Sequence, residues 1–164
     1  MSLQEIANIG EILGASGVIA SLIFVGYQIK SNTKTARLRM HEQATQTLLS
    51  FLNAVLTDPD AFSAGLQSTD ENFSDLTDGQ KMFFFGTMLG FFKHFELLYA
   101  QYDEGVLDQE SWDAWSEQMR MYFHQPGAKS WWKFRRATFV PGFRDYLESS
   151  GGSKMKSFVD IANS

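Results

Sequence analysis

The chain has 164 residues and a net charge of −5, with 44% hydrophobic and 15% aromatic residues, fifteen Phe, four Trp and no Cys. That aromatic load excludes a disordered chain, which would lack the apolar surface needed to offset the entropy of ordering. The acidic balance gives no reason to expect a nucleic-acid partner, and the absence of cysteine excludes disulfides, thiolate zinc sites and a cysteine nucleophile.

Residues 1–11 contain Glu5 and Glu11 and no cationic side chain. A cleaved signal would carry positive charge there, so the segment reads as a short extracytoplasmic leader before a retained anchor. From Ile12 to Ile29 no residue is charged. Eighteen helical residues at ~1.5 Å each reach about 27 Å, close to the roughly 30 Å hydrocarbon thickness, which predicts a transmembrane helix over 12–29. Lys30, Lys34, Arg37 and Arg39 follow it. The positive-inside rule then places the amino terminus outside and everything from Lys30 onward in the cytoplasm. Gly10, Gly14, Gly17 and Ser21 recur at small-xxx-small spacing, which lets helices approach closely in lipid and predicts self-association through the span.

No proline occurs before Pro59 and no glycine between Gly26 and Gly65, so the helix is expected to continue as a stalk over 30–57, with Ser31-Asn32-Thr33 as a hinge. Met40, Ala44, Leu48, Phe51, Leu52 and Val55 form one apolar stripe at helical spacing. The stripe must be covered by the chain's own domain or by a neighbouring copy, and the second option makes it a stalk oligomerisation face. Asp58 to Asp78 holds six acidic residues and no basic one, which predicts an acidic loop over 58–76.

A helical domain is expected over 77–148. Thr77-x-x-Gln80 resembles a capping box opening a helix that runs to about Tyr102, with Phe84, Met88, Phe91, Phe92, Phe95, Leu98, Tyr99 and Tyr102 on one face. Gly105 ends it and Asp108 caps a following helix that buries Trp112, Trp115, Met119, Tyr122 and Phe123. After Pro126-Gly127 a helix carries Trp131 and Trp132, and after Pro141 a short one presents Phe143, Tyr146 and Leu147. Residues 149–164 begin as a flexible tail and end with Met155, Phe158, Val159 and Ala162 at helical spacing. No strand pattern is present, so the fold class is all-α.

Glu96 falls near the apolar face of the Phe-rich helix, where a carboxylate needs a partner; Arg120, Arg135 and Arg136 are the candidates for a structural ion pair. His41, His94 and His124 have no two-histidine metal spacing. An EF-hand beginning at Asp70 would need Gly where Asp75 stands and Glu where Lys81 stands. With no phosphate loop, nucleophile elbow or acid/base set, neither an enzyme nor a cofactor is expected. Lys30, Lys34, Arg37, Arg39, Trp131 and Trp132 combine basic and aromatic character suited to a lipid surface.

Gly10-Glu11, Gln28-Ile29 and Asn32-Thr33, then Phe95-Glu96, Tyr99, Gln101-Tyr102, Gly105, Leu107, Trp112, Pro126-Gly127, Trp131-Trp132, Phe139 and Phe143 form a pattern covering most of residues 5–147. By that pattern the chain resembles a broad family of uncharacterised bacterial single-span membrane proteins with a helical domain. The resemblance implies a bacterial inner-membrane location and carries over no catalytic residue.

The functional expectation is a non-enzymatic inner-membrane protein that self-associates through span and stalk as a scaffold or accessory subunit. Its partners would be the bilayer, further copies of the chain, and a protein met by the helical domain or tail. Two other readings are a sensor holding a small apolar ligand in the helical domain and an oligomeric pore. Ser16, Ser21 and Gln28 would be the span's polar side chains for the pore.

Overall fold

A computed structural model of the chain describes residues 3–156 and residue 161. It is all-α, 84% helical, with six helices and no strand among the described residues. They are α1 (Leu3–Thr57), α2 (Pro59–Gln67), α3 (Asp78–Asp103), α4 (Gln109–Phe123), α5 (Pro126–Arg135) and α6 (Pro141–Ser149). Short 3-10 turns lie at Phe73–Asp75 and Arg136–Thr138. The chain forms two compact units, Met1–Glu42 and Gln43–Ser164.

In the first unit α1 runs without a break through Ser31-Asn32-Thr33, where a hinge is expected from sequence. The hydroxyls stay inside the helix instead of competing with it: Thr33 Oγ1 donates to the Ile29 carbonyl at 2.9 Å and Thr35 Oγ1 to that of Ser31 at 3.1 Å. Among the described residues no helix is long and apolar enough to cross a membrane. The side chains of Ile12 and Leu13, which open the expected span, lie outside the described residues, as do the surroundings of Gly10 and the side chain of Arg37.

In the second unit α3 is the central element. It buries Phe84, Met88, Phe91, Phe92, Phe95 and Leu98 of the face its spacing predicts, while Tyr99 and Tyr102 at the end of that face are half-buried against the same core. Its start carries the full capping box: Thr77 Oγ1 accepts from the Gln80 amide at 3.2 Å and Gln80 Oε1 accepts from the Thr77 amide at 2.9 Å. Its end is turned by Gly105 at φ +70°, a left-handed conformation that glycine adopts without a Cβ clash. Asp108 then caps α4, its carboxylate accepting from the Ser111 amide at 2.8 Å.

Helices α2, α4, α5 and α6 all pack against α3. Aromatic rings make most of the joints: Phe92 stacks on Trp131 with centroids 5.4 Å apart, and Tyr102 on Trp112 at 5.4 Å.

The expected acidic loop over 58–76 is corrected in its first half, which forms α2. Asp58 Oδ1 accepts from the Ala61 amide at 3.0 Å and Pro59 occupies the first turn, so the residues that stop α1 also start the next helix. Ala61, Phe62 and Leu66 are buried, which gives α2 an apolar side to place against α3 and α5.

The oligomeric reading of the stalk stripe is corrected as well. From Ala44 onward the stripe belongs to the second unit's own core: Ala44 and Phe51 are buried, and Leu48, Leu52 and Val55 pack against the same cluster. Phe51 meets Phe91 at 4.4 Å and Tyr122 at 5.7 Å. Met40, in the first unit, is half-buried. From Ala44 to Val55 the stripe is covered by its own domain and needs no second copy.

Candidate functional site

Three features of the described residues bear on function: an uncovered apolar run, a groove, and the positions of the charged and aromatic side chains.

The run lies on α1. Leu22, Ile23 and Tyr27 are 67%, 69% and 72% exposed, and Val18, Ile19, Phe24, Val25 and Ile29 are exposed with them. These residues point in every direction around the helix, so the run is apolar all round, unlike the single stripe of a helix that lies on a core. A Cβ at Gly14 or Gly17 would meet nothing within 4 Å, and Ser21 is exposed, so the small-residue side is open too. Lys30, Lys34 and Arg39 follow, all exposed, with a hollow lined by Lys30, Thr33, Lys34, Leu38 and His41.

The groove lies in the second unit, between the Gln43–Thr57 part of α1 and the middle of α3, and measures about 250 Å³. Leu48, Phe51, Ala54, Gly90 and Phe91 line it with apolar surface. The hydroxyls on it are already engaged. Thr47 donates to Gln43, Ser50 to Gln46 and Thr87 to Phe83, each to a carbonyl of its own helix at 2.8 to 3.0 Å. His94 stands at one end, with its ring edge-on to Phe95 and Trp115. Its Nε2 is buried without a hydrogen-bond partner, and burial lowers its pKa below 6.5, so the imidazole is neutral at neutral pH. A neutral ring among apolar side chains and engaged hydroxyls suits binding of an apolar molecule and offers no activated nucleophile.

The expected partners of Glu96 are corrected. Its carboxylate accepts from Lys93 Nζ at 2.6 Å and from the Val140 amide at 2.6 Å, at the residue that opens α6. The three arginines are placed elsewhere. Arg120 pairs with Glu117 at 2.5 Å, Arg136 forks onto Glu148 at 2.8 and 3.0 Å, and Arg135 lies over the Phe85 ring.

Trp131 and Trp132 are corrected as lipid-surface candidates. Both are buried against Phe92 and Phe139, and Trp132 Nε1 donates to Glu148 Oε1 at 2.8 Å. The exposed aromatic of that segment is Phe134. Of the tail positions, Met155 is exposed, while Phe158, Val159 and Ala162 lie outside the described residues. Ahead of them Glu117 Oε1 accepts from Ser153 Oγ at 2.7 Å and from the Lys154 amide at 2.6 Å, tying the start of the tail to α4. Arg120, then Ser153 and the Lys154 amide, hold the Glu117 carboxyl down to about 2.

Among the described residues no group of three or more His, Asp or Glu side chains could hold a metal ion. Sequence reasoning passed over the groove. Gly90, a small residue on the otherwise bulky α3, is the signal that marks it, since a Cβ there would meet nothing within 4 Å.

Comparison with known proteins finds no matching family model, no matching curated protein and no matching solved structure.

Proposed function

We propose that the chain is a non-enzymatic, membrane-anchored protein, whose α1 enters a bacterial inner membrane over residues 12–29 and whose helical domain serves as a cytoplasmic scaffold or accessory subunit. The observation carrying the reading is the apolar run from Val18 to Ile29, exposed on all sides of α1. So large an uncovered apolar surface in water is unfavourable by roughly 25 cal/mol per Å², and lipid removes that cost. The exposed cations Lys30, Lys34 and Arg39 on one flank supply the positive-inside signal and a match to phosphate headgroups. The resemblance to bacterial single-span proteins points the same way.

Self-association, in this reading, belongs to the span alone, through Gly14, Gly17 and Ser21, because the stripe from Ala44 to Val55 is used within the domain. The test is alkaline extraction of membranes from cells expressing the full chain, followed by crosslinking in mild detergent. Anchorage keeps the chain in the membrane pellet, and span-driven assembly gives discrete multimers that Gly17→Leu disperses. A chain released by alkali, or a monomer unaffected by Gly17→Leu, contradicts it.

A second reading, a sensor for a small apolar ligand, is favoured by the groove between α1 and α3. Gly90→Leu places a side chain in open groove space and tests it. Ligand-dependent changes in domain stability that vanish in Gly90→Leu would select this reading over a passive scaffold.

A further inference from the structure

The second unit displays an apolar patch distinct from the groove. Met82 on α3 is 77% exposed and Phe134 on α5 is 65% exposed. Phe134 stacks on the buried Phe73 with centroids 6.4 Å apart and leans on the half-buried Phe85 at 6.2 Å, and these rings and Met82 line a shallow hollow of about 420 Å³. Two large, mostly exposed apolar side chains thus border one hollow, which is the kind of apolar patch that marks a contact surface.

Lys133 is paired with Asp70 and Arg136 with Glu148, so these cations are locally neutralised. Lys81 and Arg135, which line the hollow, are in no ion pair among the described residues: Lys81 Nζ donates to the Ser74 carbonyl at 2.8 Å and Arg135 lies over the Phe85 ring at 5.2 Å. Asp78 is the one carboxylate in the lining, in the first turn of α3, where a negative charge complements the helix dipole. Within the lining, two cations that are in no ion pair among the described residues stand against one carboxylate, on a chain whose net charge is −5.

We propose that this patch, with Met82 and Phe134 as the inserting side chains and Lys81 and Arg135 as the headgroup contacts, seats the helical domain on an anionic bilayer surface. Exposed apolar side chains ringed by unpaired cations match the acyl boundary and the phosphate layer of such a surface in one contact. Long Lys and Arg stems lie along the apolar zone while their charges stay at headgroup level. The contact is separate from anchorage by α1; an anchor raises the local lipid concentration without creating the patch.

The cysteine-free sequence permits a direct test. Met82→Cys in the full chain, carrying a nitroxide, is measured by power saturation in phosphatidylcholine vesicles with and without phosphatidylglycerol. Seating predicts protection from a water-soluble nickel chelate and rising oxygen accessibility when phosphatidylglycerol is present. Water-like accessibility should return in phosphatidylcholine alone, and in the Lys81→Glu/Arg135→Glu chain with either lipid.

Equal nickel accessibility in both lipids overturns the proposal. So does spin–spin broadening without a change in depth, which would mean that the patch meets a second copy. The lipid comparison uses one unaltered fold, so a folding defect in the charge-reversed chain cannot imitate the result. Failure of the α1 anchor is read separately, as loss of the chain from phosphatidylcholine vesicles.

Discussion

Gly127 in α5 faces the carbonyl oxygen of Gly65 in α2 so closely that a Cβ built on it would collide with that oxygen and stand 2.9 Å from the Leu66 carbonyl carbon. The atoms met are backbone, which cannot turn aside as a side chain can. Gly127→Ala is therefore expected to destabilise the domain by about 1–3 kcal/mol, despite alanine's higher helix propensity. Gly86→Ala, where a Cβ meets nothing within 4 Å, should raise stability by up to about 1 kcal/mol. Urea midpoints at unchanged m-value measure both, and equal effects at the two sites would refute the close approach of α2 and α5.

Glu96 joins α3 to the start of α6 through the Val140 amide. Glu96→Ala removes the acceptor of that exposed amide, which water can replace, and should cost about 0.5–1.5 kcal/mol. A double-mutant cycle should find coupling of Glu96 with Lys93 and none with Arg120, Arg135 or Arg136. Coupling to any of the arginines would place the carboxylate elsewhere.

Phe51 lies among Phe62, Phe91 and Tyr122, within the domain. Phe51→Ala should lower domain stability by about 3–5 kcal/mol. Any multimers held by the span should survive it. Multimers lost with full domain stability retained would return the stripe to an interface between copies.

The starts of α3 and α4 are legible because local chemistry writes them, in the Thr77–Gln80 box, Gly105 and the Asp108 cap, whereas Pro126 and Pro141, expected from sequence to precede α5 and α6, lie inside their first turns. The acidic run from Asp58 reads as a loop in sequence, yet Asp58 and Pro59 serve as N-cap and first-turn proline of α2. The three aromatic residues of the 131–134 segment look alike in sequence. Only the packing of α5 on Phe92 and Phe139 decides that Trp131 and Trp132 go inside and Phe134 stays outside. The acceptor role of Glu96 toward Val140 joins residues 44 apart, a separation that local pattern does not reach.

Acid should weaken the domain in two windows. Burial lowers the pKa of His94, and burial followed by the Lys129 charge lowers that of His124, each from 6.5. A depressed folded-state pKa stabilises above the unfolded value, so this contribution is present above about pH 6.5 and fades as the pH falls below it. Glu117, held at about 2 against an ordinary 4.5, contributes above 4.5 and loses its contribution between 4.5 and about 2. Thermal melts across pH should show both declines. His94→Gln/His124→Gln should flatten the first and Glu117→Gln the second; a decline unchanged in either variant assigns it to other groups.

The most direct measurement of whether α1 occupies lipid is cysteine accessibility, made simple by a sequence with no native cysteine. Single-cysteine chains Gln4→Cys, Leu22→Cys and Asp103→Cys are expressed in bacteria and treated with a membrane-impermeant maleimide before and after detergent. With the segment around Leu22 in the bilayer and the helical domain inside, Gln4→Cys reacts in intact spheroplasts, Asp103→Cys reacts only after permeabilisation, and Leu22→Cys reacts only in detergent. Leu22→Cys reacting as fast as Asp103→Cys in permeabilised cells without detergent would put the apolar run in water and contradict membrane anchorage.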